Sequence, residues 1–286
     1  MAARRKKLPP MRYPLTSEIY YQRSLAAQIG SMKKLIRTKM VPRVPIWASE
    51  ATAVNLPTGE VRQDAGWHEE VYTITAEILR QMDPYNEAAI RRLRPIGEGV
   101  NQYNKKEWRK LVRGAYGVNP TAEDPHKWDP LMRRWAEANA RLIKDIPSKT
   151  MREIRDFTID ALTQGTNVSD TTNSIYDIMR QRVDVSQSRA KLIARDQVAK
   201  LNGDFTQARQ RDIGVESYIW RTVGDERVRE THDECDGQTF SWDKPPDVTD
   251  GNHPGGDFQC RCWAEPILPD RLEFEAFLQA EELEDA

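Results

Sequence analysis

Cysteine is nearly missing from this chain: Cys235, Cys260 and Cys262 are the whole complement among 286 residues. Three thiols cannot close into a disulfide framework and fit a reducing compartment. Long apolar runs are also missing. No stretch reaches the ~18 consecutive apolar residues of a membrane helix, and the opening MAARRKKLPP has charge without an apolar segment behind it. Neither a membrane span nor a secretory signal is expected, and the protein is expected to be made and used in the cytoplasm. A Gly-rich phosphate loop, a G-x-S-x-G elbow, an H-E-x-x-H pair and a repeat of fixed period are all lacking. With 38% hydrophobic and 30% charged residues, the composition suits a helix-rich protein with much solvated or partner-facing surface better than a compact enzyme.

Charge is present, but unevenly distributed. The formal net charge is -1, yet residues 1–44 hold eleven Lys and Arg against Glu18 alone, and the stretch from Asp270 holds seven acids against Arg271. A basic arm attracts nucleic acid or an acidic protein surface. After the arm, Ser17 can cap a helix whose apolar residues Leu25, Ile29, Met32 and Ile36 fall on one narrow stripe. Such a stripe needs a partner, so residues 1–44 read as a basic arm with a docking helix, and these four side chains as its partner-binding face. Pro42, Pro45 and the turn-like Pro57, Thr58 and Gly59 mark 45–65 as a linker.

Helical periods fill 66–214. Trp67, Val71, Ile74 and Ile78 form one stripe, and Trp108, Leu111, Val112 and Tyr116 another that Gly117 and Pro120 should end. Asp129 with Pro130 opens a third helix, Ser148 a fourth that closes at Gly165, Ser169 or Asp170 a fifth, and Ser186 a long sixth ending near Gly214. The chain then changes character. Residues 215–269 are expected to form a small module in which Ser217–Val223 and Cys260–Ile267 are strands, with prolines and glycines forcing repeated turns between them. The tail at 270–286 reads as an acidic helix. The fold class is therefore α+β: a mostly helical N-terminal and middle region followed by a small C-terminal α+β module.

The module holds the only chemically specific residues. His232 and Cys235 have H-x-x-C spacing, Cys260 and Cys262 have C-x-C spacing, and His253 lies between the pairs. A closed zinc site takes four N or S ligands, and His232, Cys235, His253, Cys260 and Cys262 offer five. Such a site would staple a loop region poor in apolar residues. A regular strand would set the C-x-C thiols on one face two residues apart, so joint chelation requires the backbone to bend there. The other reading is of reduced, buried cysteines beside a hydrogen-bonded His232. His232, Asp233, Asp250, His253 and Asp257 are also the residue types of a metal-dependent nuclease or toxin-like enzyme, although their order matches no such site.

The order W-R-T-x-x-D-x-x-V-R-x-x-H, then D-G-x-x-F-x-W-D, then H-P-G-G-D-F-Q-C-R-C resembles the C-terminal signature of the phage Mu F-like minor head (head morphogenesis) proteins. Trp220, Asp225, Arg229, His232, Gly237, Phe240, His253, Pro254, Cys260, Arg261 and Cys262 carry the resemblance. It implies a low-copy structural protein of a tailed-phage head, without catalysis or a catalytic cofactor. The implied partners are the portal and other head proteins, with possible contact to packaged DNA and departure with it at ejection. The implied location is the virion, in the capsid interior or at the portal vertex, and the host cytoplasm during assembly. In that setting Asp225, Arg229, His232 and Arg261 read as a structural polar cluster, with Asp225 and Arg229 close enough in sequence to pair.

Overall fold

The computed structural model describes residues 8–54, 66–118, 120, 126–270 and 274. Arg4 to Lys7 of the basic arm, the Pro57–Gly59 part of the expected linker and all but two residues of the acidic tail lie outside them. The described chain is mostly helical, with one small antiparallel sheet near the C-terminus. No helix among the described residues is long and apolar enough to cross a membrane.

Six long helices precede the sheet. They are α1 (Leu15–Leu35, continued by a π-helical turn at Ile36–Met40), α2 (Val44–Val54), α3 (Gly66–Arg91), α4 (Leu93–Tyr116), α5 (Asp129–Gln164) and α6 (Val168–Asp212). Strand β1 (Ser217–Arg221), the single-turn helix α7 (Glu230–Glu234), β2 (Thr239–Ser241) and β3 (Trp263–Pro266) follow. The chain divides into two compact units, one of Met1–Ile19, Arg94–Ala136 and Ala194–Ala286, the other of Tyr20–Leu93 and Glu137–Ile193.

In the second unit the α1 stripe has an intramolecular partner. Leu25, Ile29 and Met32 are 0% exposed and Ile36 4%, so the four residues expected to face another protein belong to this unit's own core. Burying each side chain stabilises the fold by roughly 1.5–3 kcal/mol. Pro42 and Pro45 do not open a linker directly. They bracket a tight turn, and Val44–Val54 is helical because Pro45 falls in the first helical turn, where a missing N–H and a fixed φ are tolerated. Glu70 on α3 fastens α2 in place. It accepts 2.8 and 2.7 Å hydrogen bonds from Arg43 Nη2 and from the indole of fully buried Trp47, and Arg43 Nε stands 2.7 Å from its other oxygen. Lys39 likewise donates to Glu77 at 2.7 Å. Two cations of the basic arm are therefore engaged internally.

Two expected helix starts turn out to be helix interiors. The chain passes Pro147 and Ser148 without a break. Proline at 147 leaves the carbonyl of Ile143 without its helical donor, and Gln28 supplies one from α1, with Nε2 2.9 Å from that oxygen and 2.6 Å from Asn86 Oδ1. Ser186 is also internal. Its hydroxyl bonds back to the Arg182 carbonyl at 2.8 Å and meets Thr150 Oγ1 at 2.5 Å, so α6 runs on as one helix of 45 residues. The stop at Gly117 is as expected: its φ of 78° closes α4, and its N–H bonds the Arg113 carbonyl at 2.9 Å.

In the first unit, Trp108, Leu111, Val112, Ile213, Val215 and Phe274 form one core, with Tyr116 stacked on Phe274 at 4.2 Å between ring centroids. The sheet has order β2-β1-β3, with Tyr218 opposite Phe240 and Trp220 opposite Ala264. Tyr218 and Trp220 alternate inward on β1 and pack with Trp242, Cys235, Cys260 and Cys262. Gln210, fully buried on α6, links this module to the helix. Its Nε2 donates to the Ala264 carbonyl on β3 at 2.9 Å, and its Oε1 accepts from Trp242 Nε1 at 3.1 Å.

Two outcomes follow for stability. Glu70→Gln should lower Tm at neutral pH. Arg43, the main cause, and Trp47 hold the Glu70 carboxyl below its ordinary pKa, so the stability it brings is present above the unfolded value and is lost as pH falls through the folded one. Melting curves of both proteins should therefore converge towards acid pH, and a constant offset would contradict the pairing. Gln210→Ala leaves a buried indole N–H and a buried carbonyl unsatisfied and should destabilise by about 2–4 kcal/mol. Denaturant unfolding reads this directly, and a loss below about 0.5 kcal/mol, typical of a surface substitution, would remove Gln210 as the link.

Candidate metal-binding centre

Three of the five residues with metal-ligand chemistry meet. His232 lies on α7, and Cys260 and Cys262 immediately precede β3. Their donor atoms all fall within 4.8 Å of one another, and all three side chains are buried. His232 Nδ1 is 3.5 Å from Cys260 Sγ and 3.5 Å from Cys262 Sγ. Among the described residues this is the one group of three or more such side chains close enough to share an ion. Cys235 and His253 do not join it. Cys235, capping α7, points its thiol at the Thr231 carbonyl at 3.3 Å, and burial raises its pKa. His253 bonds the Tyr218 hydroxyl through Nδ1 at 2.9 Å between the Tyr218 and Trp242 rings, where burial lowers its pKa.

The bend that C-x-C chelation requires is present. Cys260 and Cys262 lie outside the regular strand, and Gln259 just before them has a left-handed φ of 55°. Buried Asp196 on α6 holds that backbone, accepting from the Gln259 N–H at 2.8 Å. The loop also approaches α6 closely. A Cβ at Gly203 would stand 3.2 Å from the Pro254 carbonyl oxygen, and Gly255 across from it has φ of 88°. Glycine at both positions lets the backbones pack.

Around the three donors the electrostatics favour a thiolate. The Cys262 side chain foremost, then His232 and the N–H groups of Cys262 and Gly255, pull Cys260 down to about 5. Both N–H groups stand 3.4 Å from its sulfur. Cys262 moves the opposite way, raised by its neighbour Cys260 and by burial, while the Trp220 indole N–H beside it counteracts. Contact with Cys260 raises the His232 pKa. Its outer nitrogen Nε2 lies 3.3 Å from Asp257 Oδ2, within ion-pair range though not aligned for a hydrogen bond. Trp220 meets the imidazole edge-on at 5.2 Å.

The polar cluster is divided into two pairs rather than one. Asp225 pairs with Arg261 in a two-pronged contact that holds its carboxyl down to about 2. Arg229, the partner expected from sequence distance, instead donates 2.8 Å to Asp257 and 2.5 Å to the Phe258 carbonyl. The D-F-Q-C loop is what brings Asp257 near, a closure that sequence separation alone does not show. Asp233 and Asp250 are exposed and stand apart from the cluster. The roles of Asp196, Gln210 and Asp257 leave no local signature, because each acts on a residue far along the chain.

Comparison with known proteins places these residues in a recognised setting. An "Uncharacterized protein" of Haemophilus influenzae is 42% identical over 130 residues, a match covering 46% of this chain and 28% of that protein. The chain thus spans less than a third of the relative's length. No solved structure matches the chain. Residues 152–265, which contain His232, Cys260 and Cys262 together with all of α6, match the family of Phage Mu protein F like protein.

Proposed function

We propose that the chain is a minor structural protein of a tailed-phage head, built into the assembling particle at the portal vertex. The family match over 152–265 is the observation that carries this reading. The geometry supports it: the residues of the signature are used to build the module. Asp225 and Arg261 pair, Arg229 ties the Asp257–Phe258 turn, and Tyr218, Trp220 and Trp242 fill the core. The partners are the portal and neighbouring capsid or scaffold proteins, and contact with packaged DNA and departure at ejection belong to the same reading.

Docking through Leu25, Ile29, Met32 and Ile36 is not part of it, since those side chains lie in the core. A nuclease using a hard cation such as Mg²⁺ would need a carboxylate-rich site. The cluster that forms has two sulfurs and one imidazole. In particles purified from the host that makes this chain, quantitative mass spectrometry should find it at low copy alongside the portal, and it should already be present in procapsids. Its absence from both, while it is abundant in the lysate, would overturn the proposal. Incubation with DNA or RNA and Mg²⁺, Mn²⁺ or Zn²⁺ should give no cleavage, and cleavage abolished by His232→Ala would move the chain to the enzymes.

A further inference from the structure

We infer that His232, Cys260 and Cys262 bind one zinc ion, through Nδ1 and two thiolate sulfurs, with the fourth corner of the tetrahedron open to a cleft. The spacing comes first. With zinc–sulfur bonds of about 2.3 Å and zinc–nitrogen bonds of about 2.0–2.1 Å, a tetrahedron has N···S edges of about 3.5 Å, and both observed edges are 3.5 Å. Hydrogen bonding explains this symmetry poorly. Nδ1 carries either one lone pair or one proton and serves one sulfur at a time, whereas an ion between the three atoms draws both sulfurs equally.

The surroundings fit the same occupant. Cys260 Sγ accepts from two backbone N–H groups, as a metal-bound thiolate does. The Trp220 indole N–H is buried without a hydrogen-bond partner, in the same core cluster as Cys262, where a thiolate could accept from it. Asp257 stands at the outer nitrogen of His232, the place of the carboxylate that orients metal-bound imidazoles. Two soft sulfurs with an imidazole select zinc over magnesium or calcium. A cleft of about 150 Å³ is lined by His232, Cys260 and Cys262 together, with Arg195, Arg229 and Arg261 around it. It has room for a water or an anionic donor as fourth ligand.

The test uses the full chain, purified under reducing conditions from zinc-supplemented cells, with metal measured by mass spectrometry. About one zinc per chain is expected. Cys235→Ser and His253→Gln should keep it, and Cys260→Ser with Cys262→Ser should lose it. Because that double variant may not fold, Co²⁺ titrated into the metal-stripped wild type provides a second readout. Sulfur-to-cobalt charge-transfer bands with tetrahedral visible absorption support the site. Asp257→Asn should keep those bands while weakening zinc about 10–100-fold in a chelator competition. Absence of zinc together with absence of the cobalt bands overturns the inference, as does zinc that persists in a folded double variant. Neither result bears on whether the chain enters virions, so this inference and the proposed function can fail separately.

Discussion

The contact between the 253–264 segment and α6 is the constraint on which the C-terminal module depends. A three-stranded sheet of five, three and four residues cannot bury enough apolar surface to stand alone. Helix α6 provides the missing wall. Asp196 holds the Gln259 backbone, Gly203 admits the loop at Pro254 and Gly255, and Gln210 reaches both β3 and Trp242. The cysteines are turned inward as a result of these contacts, so the chemistry of the centre follows from how the loop is docked.

Much of the fold can be read from the sequence where local rules act. The α3 and α4 stripes, the Gly117 stop, the Asp129–Pro130 start and the strands β1 and β3 all follow from period, capping and β-branched or aromatic content. The failures come where a distant side chain overrides a local signal. Ser148 reads as a helix start because serine favours caps, whereas the side chain that lets the helix run through Pro147, Gln28, reaches the Ile143 carbonyl from 115 residues away. Ser186 reads as a cap because serine favours helix starts, yet its hydroxyl has a carbonyl and Thr150 to bond inside the helix. The narrow α1 stripe looked unpartnered because periodicity shows which face is apolar and not what covers it.

The site shows the same division. The residue types and the C-x-C spacing identify the sulfurs, and the resemblance to the phage Mu F-like signature picks out the segment. Which of the five candidate ligands converge is a matter of loop closure. Cys235 and His253 have suitable chemistry but are held by Thr231 and Tyr218, while Asp257, which joins through a turn of the D-F-Q-C loop, has no spacing signal at all. Asp225 likewise finds Arg261, 36 residues away, instead of Arg229.

The mutual approach of Gly203 and Gly255 also bears on how this protein can change over generations. A side chain at Gly203 would meet a backbone oxygen, and one at Gly255 would need a backbone conformation that L-residues rarely adopt. A larger residue at Gly203 asks the Pro254 backbone to give way, and one at Gly255 strains the loop itself. Substitution at either place therefore acts on the docking that turns the thiols inward, a constraint that the solvated faces of the same helix do not share.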